Sequence, residues 1–216
     1  MIKAFIFDMD GVILDTEPLS LQSFNHVLRN YVEPISLEEF KAKYMGHYDI
    51  SVCGRMVEEL NLPITKEELI SAKTEAYLKI LQNDIEPIKG AVEAIREIHK
   101  MMPIALASSS NKSKIEIITK KFGIYELFSA LVSSYEVAKD KPAPDVYLKV
   151  SQLLGVSPNE CAVIEDAPLG IAAAKGAGMY CFGFTTNYPA AKLAAADQVI
   201  NSFDQLIPAI KILNSN

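Results

Sequence analysis

The sequence predicts an α/β protein, a parallel-sheet core interrupted after its first strand by an all-helical block. Three observations predict it. There are six short apolar runs, most without polar alternation, as in strands buried on both faces. Helical stripes alternate with these runs from about residue 88 to the end, the pattern of βαβ units. Residues 16–86 carry helical stripes and no strand. The 216 residues are about 1.4 times a typical domain, which fits one domain plus a modest insertion.

The expected strands are Lys3–Phe7, Pro103–Ala107, Ala130–Ser133, Cys161–Ile164, Tyr180–Phe184 and Gln198–Ile200. In the core, Val92, Ile95 and Ile98 recur at helical spacing. So do Ile115, Ile118 and Phe122, and Val146, Val150, Leu153 and Leu154. Ser157 to Glu160 has capping-box spacing with Pro158 at the first helical position. In the inserted block the stripes are Phe24, Val27, Leu28 and Tyr31, then Val52, Met56, Val57 and Leu60, then Leu69, Ala76, Tyr77, Ile80 and Leu81. Ser36–Glu39 and Thr65–Glu68 are capping boxes, and Pro34, Gly46 and Pro63 punctuate the block. The expected division is 1–15 with 87–216 as the core, and 16–86 as the insertion.

Composition narrows the function. Hydrophobic residues at 50% and charged residues at 22% exclude a disordered chain. A net charge of −6 argues against a nucleic-acid binder, but one local cluster can still hold a small anion. Cys53, Cys161 and Cys181 are odd in number and far apart, so they read as reduced thiols of a cytoplasmic protein. Asp8 cuts the N-terminal apolar run at once, which is unlike a signal peptide, and no stretch approaches the ~20 apolar residues of a membrane span.

Four segments carry chemistry, each after a successive strand. Asp8 and Asp10 end the first strand, and Gly11 allows a sharp turn there. Ser108, Ser109 and Ser110 lie between a strand and a helix, where hydroxyls and N–H groups can cradle phosphate or merely cap the helix. Lys141 precedes Pro142, read as opening a helix that holds the ammonium rigidly. Glu165 and Asp166 end a later strand, and acids from two strand ends suit a hard cation such as magnesium. Two acidic pairs side by side would repel strongly without a cation or a lysine.

This order of acids, hydroxyls, lysine and acids resembles the haloacid dehalogenase superfamily of phosphotransferases. The strings IFDMDGVILDTEPL, KPAPDVYL and VIEDAPLGIAAAKGAGM carry the likeness over nearly the whole chain, close to the β-phosphoglucomutase-like subgroup. The resemblance implies a Rossmann-like parallel-sheet core with an inserted all-helical cap domain of the first type. It implies a magnesium-dependent phosphatase of small phosphorylated metabolites, of which sugar phosphates are expected. Asp8 would be the nucleophile, forming an aspartyl phosphate, and Asp10 the general acid and base. Ser108 would bond a phosphoryl oxygen, with backbone near Ser109 and Ser110 assisting, and Lys141 would neutralise charge. Asp8, Asp166, the Asp10 backbone carbonyl and Glu165 would hold Mg2+.

The cap would set the substrate. In the mutase of this subgroup, the positions matching Ser20, Met45 and Asp49 are histidine, lysine and arginine. Their loss here removes the cations a second phosphate needs. Glu17, His47 and Asp49 would instead bond sugar hydroxyls. A hexose-phosphate mutase is the alternative enzyme. A receiver-like phospho-aspartate module shares the acids, hydroxyl and lysine but has no use for a block of about 70 residues. A dinucleotide site lacks its GxGxxG. The expected partner is a small phosphorylated metabolite, with no nucleic acid and no membrane, bound by a monomer or weak homodimer.

Overall fold

The computed structural model describes residues 1–44, 49–83 and 85–215, and at residues 49 and 50 the backbone alone. The chain divides into two compact units, Met1–Asp15 with Glu86–Asn216, and Thr16–Ile85.

The inserted unit contains α1 (Glu17–Leu28), α2 (Leu37–Lys43), α3 (Asp49–Glu59) and α4 (Lys66–Gln82). Its core joins Leu21, Phe24 and Leu28 to Phe40, Val52, Met56 and Leu69, so one apolar stripe from each helix meets the others. The Thr65–Glu68 box is complete at the start of α4. At α2 the Ser36 side chain accepts from the Glu39 N–H. Lys73 is buried with its ammonium 5.1 Å from the ring centres of both Phe24 and Tyr77, close enough for cation–π attraction. Tyr31 departs from the expected stripe. The helix ends at Leu28, and Tyr31 lies exposed beyond it. The Asn25 side chain exchanges two bonds with the Ile35 backbone, at 2.8 and 2.9 Å, and this clamp turns the chain back.

The other unit is a six-stranded parallel sheet. Its strands are β1 (Ala4–Phe7), β2 (Ile104–Ser108), β3 (Ala130–Ser133), β4 (Cys161–Glu165), β5 (Tyr180–Phe184) and β6 (Gln198–Ile200), in the order β3-β2-β1-β4-β5-β6. Helices α5 (Ala91–Met101), α6 (Lys112–Lys121), α7 (Asp145–Leu154), α8 (Pro168–Gly176) and α9 (Leu206–Ser215) accompany it. Every residue of β1 is buried, so both faces of the sheet are covered there. Ala4 and Ile6 face a cluster with Val146, Tyr147 and Val150 of α7 and Ile171 of α8. Phe5 and Phe7 alternate to the other side, where Phe5 meets Phe182 and Phe7 meets Phe128. Strand order reverses between β1 and β4, so a crevice opens at their carboxyl ends.

Three local expectations are corrected. Pro142 does not open a helix, since it sits in a turn and α7 begins at Asp145 after the Pro144 cap. Leu153 is exposed, because the buried stripe of α7 runs through Val146, Tyr147, Val150 and Ser151. The Ser157 side chain makes no cap bond, although the short helical turn expected before β4 is present as a 3-10 turn at Pro158–Glu160. Glu160 instead pairs with Lys3 at 2.5 Å. Among the described residues no helix is long and apolar enough to cross a membrane. All three cysteines are buried, and none forms a disulfide.

Candidate active site

In a parallel sheet every strand delivers its last residue to the same edge. Asp8 extends the β1 ladder by one bond, its N–H donating to the Ile164 carbonyl at 3.0 Å. Ser108 closes β2 and Glu165 closes β4, with Asp166 next. Beyond Asp8 the chain turns tightly, the Ile13 N–H donating to the Met9 carbonyl at 2.8 Å and the Gly11 N–H to the Leu14 carbonyl at 2.8 Å. Gly11 has φ 77°, and a Cβ there would lie 2.0 Å from Asp166 Oδ2. The position therefore needs glycine both for its conformation and for clearance.

Lys141 lies at the centre of the site. Its ammonium is buried and donates to Asp8 Oδ1 and to Glu165 Oε1, each at 2.7 Å. Tyr147, from α7, donates its hydroxyl to the same Glu165 oxygen at 2.7 Å. The Lys141 backbone N–H donates to Asp140 Oδ1 at 2.6 Å, and Ser109 Oγ donates to that oxygen at 3.0 Å. The lysine is thus fixed by this polar loop, not by a helix start.

Asp10 belongs to a second network. Its Oδ2 accepts from Ser108 Oγ at 3.0 Å and from Ser110 Oγ at 2.8 Å, and its Oδ1 accepts from Lys114 Nζ at 2.7 Å. Ser108 Oγ also accepts the Ser110 N–H at 2.9 Å. Ser133 Oγ, from the end of β3, donates to the Ser110 carbonyl at 2.7 Å and holds the serine turn.

Carboxylate oxygens of Asp8, Glu165 and Asp166 lie within 4.8 Å of one another, all on buried residues. Asp166 Oδ2 accepts from Asn187 Nδ2 at 3.0 Å, while Asn187 Oδ1 is buried with no partner among the described residues. Burial raises the Asp8 carboxyl to about 8; the Lys141 charge opposes this, and Glu165 and Asp10 add to it. Burial, then Glu165 and Asp8, raise Asp166 well above the usual carboxylate range. Burial alone would lower Lys141, but Asp8 and Glu165 outweigh it and raise the ammonium. One cation facing three clustered acids leaves an electrostatic deficit, and a hard divalent ion bound through oxygen matches that donor set. The Asp10 side chain stands outside this cluster, engaged by the serines and Lys114.

The structure therefore brings together Asp8, Lys141, Glu165 and Asp166, and beside them Asp10, Ser108, Ser110 and Gly11. Glu17 opens α1 in the inserted unit, and Asp49 opens α3. His47 and Met45 lie outside the described residues. Sequence reading missed Lys114, Tyr147, Asn187 and the clearance at Gly170, where a Cβ would sit 1.8 Å from Glu165 Oε1. Only Lys114 had a usable signal, as a cation in the first turn of the helix that follows the serines.

Fold and site together define a Rossmann-like α/β enzyme with a carboxylate and lysine centre at the carboxyl edge of its sheet. The family model for haloacid dehalogenase-like hydrolases matches residues 5–184, and the chain belongs to that family. It is 34% identical over 174 residues to fructose-1-phosphate phosphatase YqaB of Escherichia coli, covering 81% of this chain and 92% of that one. It is 32% identical over 213 residues to β-phosphoglucomutase of Bacillus subtilis, covering 94% and 91%. Among solved structures, CbbY from Rhodobacter sphaeroides in complex with phosphate superposes with a TM-score of 0.84 at 26% identity, covering 95% of this chain and 96% of that one. The protein is a phosphatase-type hydrolase of this family, whose members generally use a divalent metal.

Proposed function

We propose that the protein hydrolyses sugar phosphates and related small phosphate monoesters through an aspartyl phosphate on Asp8, with Mg2+ as its metal. The observation that carries this is the Asp8–Lys141–Glu165 contact set with Asp166 beside it and Asp10 on a separate network. Asp8, Asp166 and Glu165 would hold the ion, with the Asp10 backbone carbonyl. When bound, it would supply positive charge against the acids and the phosphoryl oxygens.

The protein's own groups divide the rest. Asp8 attacks phosphorus, so an Oδ–P bond forms as the ester P–O bond breaks. Asp10 gives its proton to the departing alkoxide. In the second step a water oxygen bonds phosphorus, the Oδ–P bond breaks, and the water proton passes to Asp10. Ser108 and Lys141 hold the phosphoryl oxygens in line, with Ser109, Ser110 and Gly11 shaping the pocket backbone. Glu17, His47 and Asp49 remain the proposed sugar-hydroxyl contacts. Buried cysteines outside any disulfide fit a cytoplasmic setting.

The test is a panel of sugar phosphates and p-nitrophenyl phosphate, ranked by kcat/KM with Mg2+ and with EDTA. Asp8→Asn is expected to abolish turnover, by about 10^4-fold or more. Full activity in that variant refutes the mechanism. Similarity to β-phosphoglucomutase favours one second reading, hexose-phosphate isomerisation. A coupled assay with a β-hexose 1-phosphate and catalytic bisphosphate distinguishes the two.

A further inference from the structure

We infer that Lys114 is a positioning residue for the general acid Asp10, and that it acts on departure of the leaving group rather than on substrate affinity. The inference rests on the roles proposed for Asp8 and Asp10.

Lys114 lies in the first turn of α6. Its own N–H donates to the Asn111 cap oxygen at 2.9 Å, which anchors its backbone. From there the side chain reaches across 104 residues of sequence to Asp10 Oδ1, at 2.7 Å. The pair is largely shielded, with side-chain exposures of 19% for the lysine and 29% for the aspartate, so solvent screens it less than a surface pair. The two serine hydroxyls take the opposite oxygen. A carboxyl group gripped at one oxygen alone can rotate about its Cβ–Cγ bond, whereas this one is gripped at both. Lys114 on one oxygen and the serines on the other together fix the orientation of the carboxyl group.

The chemistry supplies a selective readout. An alkoxide leaving group, as from a sugar phosphate, needs the Asp10 proton as its P–O bond breaks. A p-nitrophenolate leaves without one. For both, kcat/KM reports events up to that departure. A lysine that simply bound substrate would instead raise KM, and both esters would suffer together.

The experiment compares Lys114→Met with wild type on p-nitrophenyl phosphate and on the best sugar phosphate. Lys112→Met serves as the control for loss of one charge, because Lys112 faces Leu131 and Glu136. Lys114→Met is expected to lower kcat/KM for the sugar phosphate by up to about 100-fold through kcat, and for p-nitrophenyl phosphate by less than about 3-fold. Lys114→Arg, which keeps a cation and donors, is expected to recover most of the loss. An equal fall on both esters, a change confined to KM, or no change beyond that of Lys112→Met overturns the inference. If Lys114→Met does not fold, Lys114→Gln gives the same comparison, with circular dichroism as the check. Activity surviving in Asp8→Asn would refute the underlying mechanism. Loss there, with Lys114→Met affecting both esters alike, refutes the role of Lys114 alone.

Discussion

The two units of this chain are built on opposite terms. In the inserted unit the interior is apolar almost throughout, and its one buried cation among the described residues, Lys73, lies against two aromatic rings. In the α/β unit the sheet edge buries Asp8, Lys141, Glu165 and Asp166 side by side. Burying like charges costs free energy, and folding alone would select against such a cluster. The contrast shows that the insertion is organised for packing, whereas the sheet edge gives up stability to hold charge. Strand ladders on both sides of β1 stabilise the frame that tolerates this.

The strongest way to break the contrast is Lys141→Met. It leaves Asp8 and Glu165 uncompensated, and is expected to cut turnover by about a thousandfold and destabilise the protein by about 3–5 kcal/mol. Activity assays and urea unfolding measure both. In the insertion, Met56→Ala opens a cavity and is expected to cost about 2–5 kcal/mol. Hydrogen exchange should rise at amides of 16–85 while the β1 and β4 amides keep their protection. Uniform exchange would show that the units open together. Gly170→Ala places a methyl group on Glu165 and is expected to weaken Mg2+ by about 10- to 100-fold, read by titration calorimetry.

A further effect is on pH dependence. Asp8 and Asp166 have raised pKa values in the folded state, so without metal that state binds more protons than the unfolded chain. Stability from these groups is therefore lost as pH rises from about 4 to about 8. Lys141 stays charged across that window and does not reverse the sign. With EDTA, Tm is expected to fall by at least about 4 °C between pH 5 and pH 8, and Mg2+ should restore it. A Tm that rises over that range without metal contradicts the buried-acid account.

The sequence disclosed the sheet because strands covered on both faces need unbroken apolar runs, as Ala4–Phe7 and Cys161–Ile164 show. It disclosed Asp8, Ser108 and Glu165 because parallel strands must present their ends together. What stayed hidden depends on distances that only the packed sheet creates. Tyr147 reads as one more apolar position of α7 until its hydroxyl meets Glu165. Asn187 reads as loop until β5 carries it to Asp166. Pro142 misled because a proline's fixed φ suits a turn as well as a helix start.

The placement of β1 between β2 and β4 has a consequence for biosynthesis. The strand that carries Asp8 leaves the ribosome before its neighbours, which begin at Ile104 and Cys161. At ordinary translation speeds that is an interval on the order of ten seconds. Throughout it, an apolar segment with open edges has no sheet to join. Thr16–Ile85 is synthesised within that interval and contains a core of its own, so compaction there would shorten the loop that β1 must close.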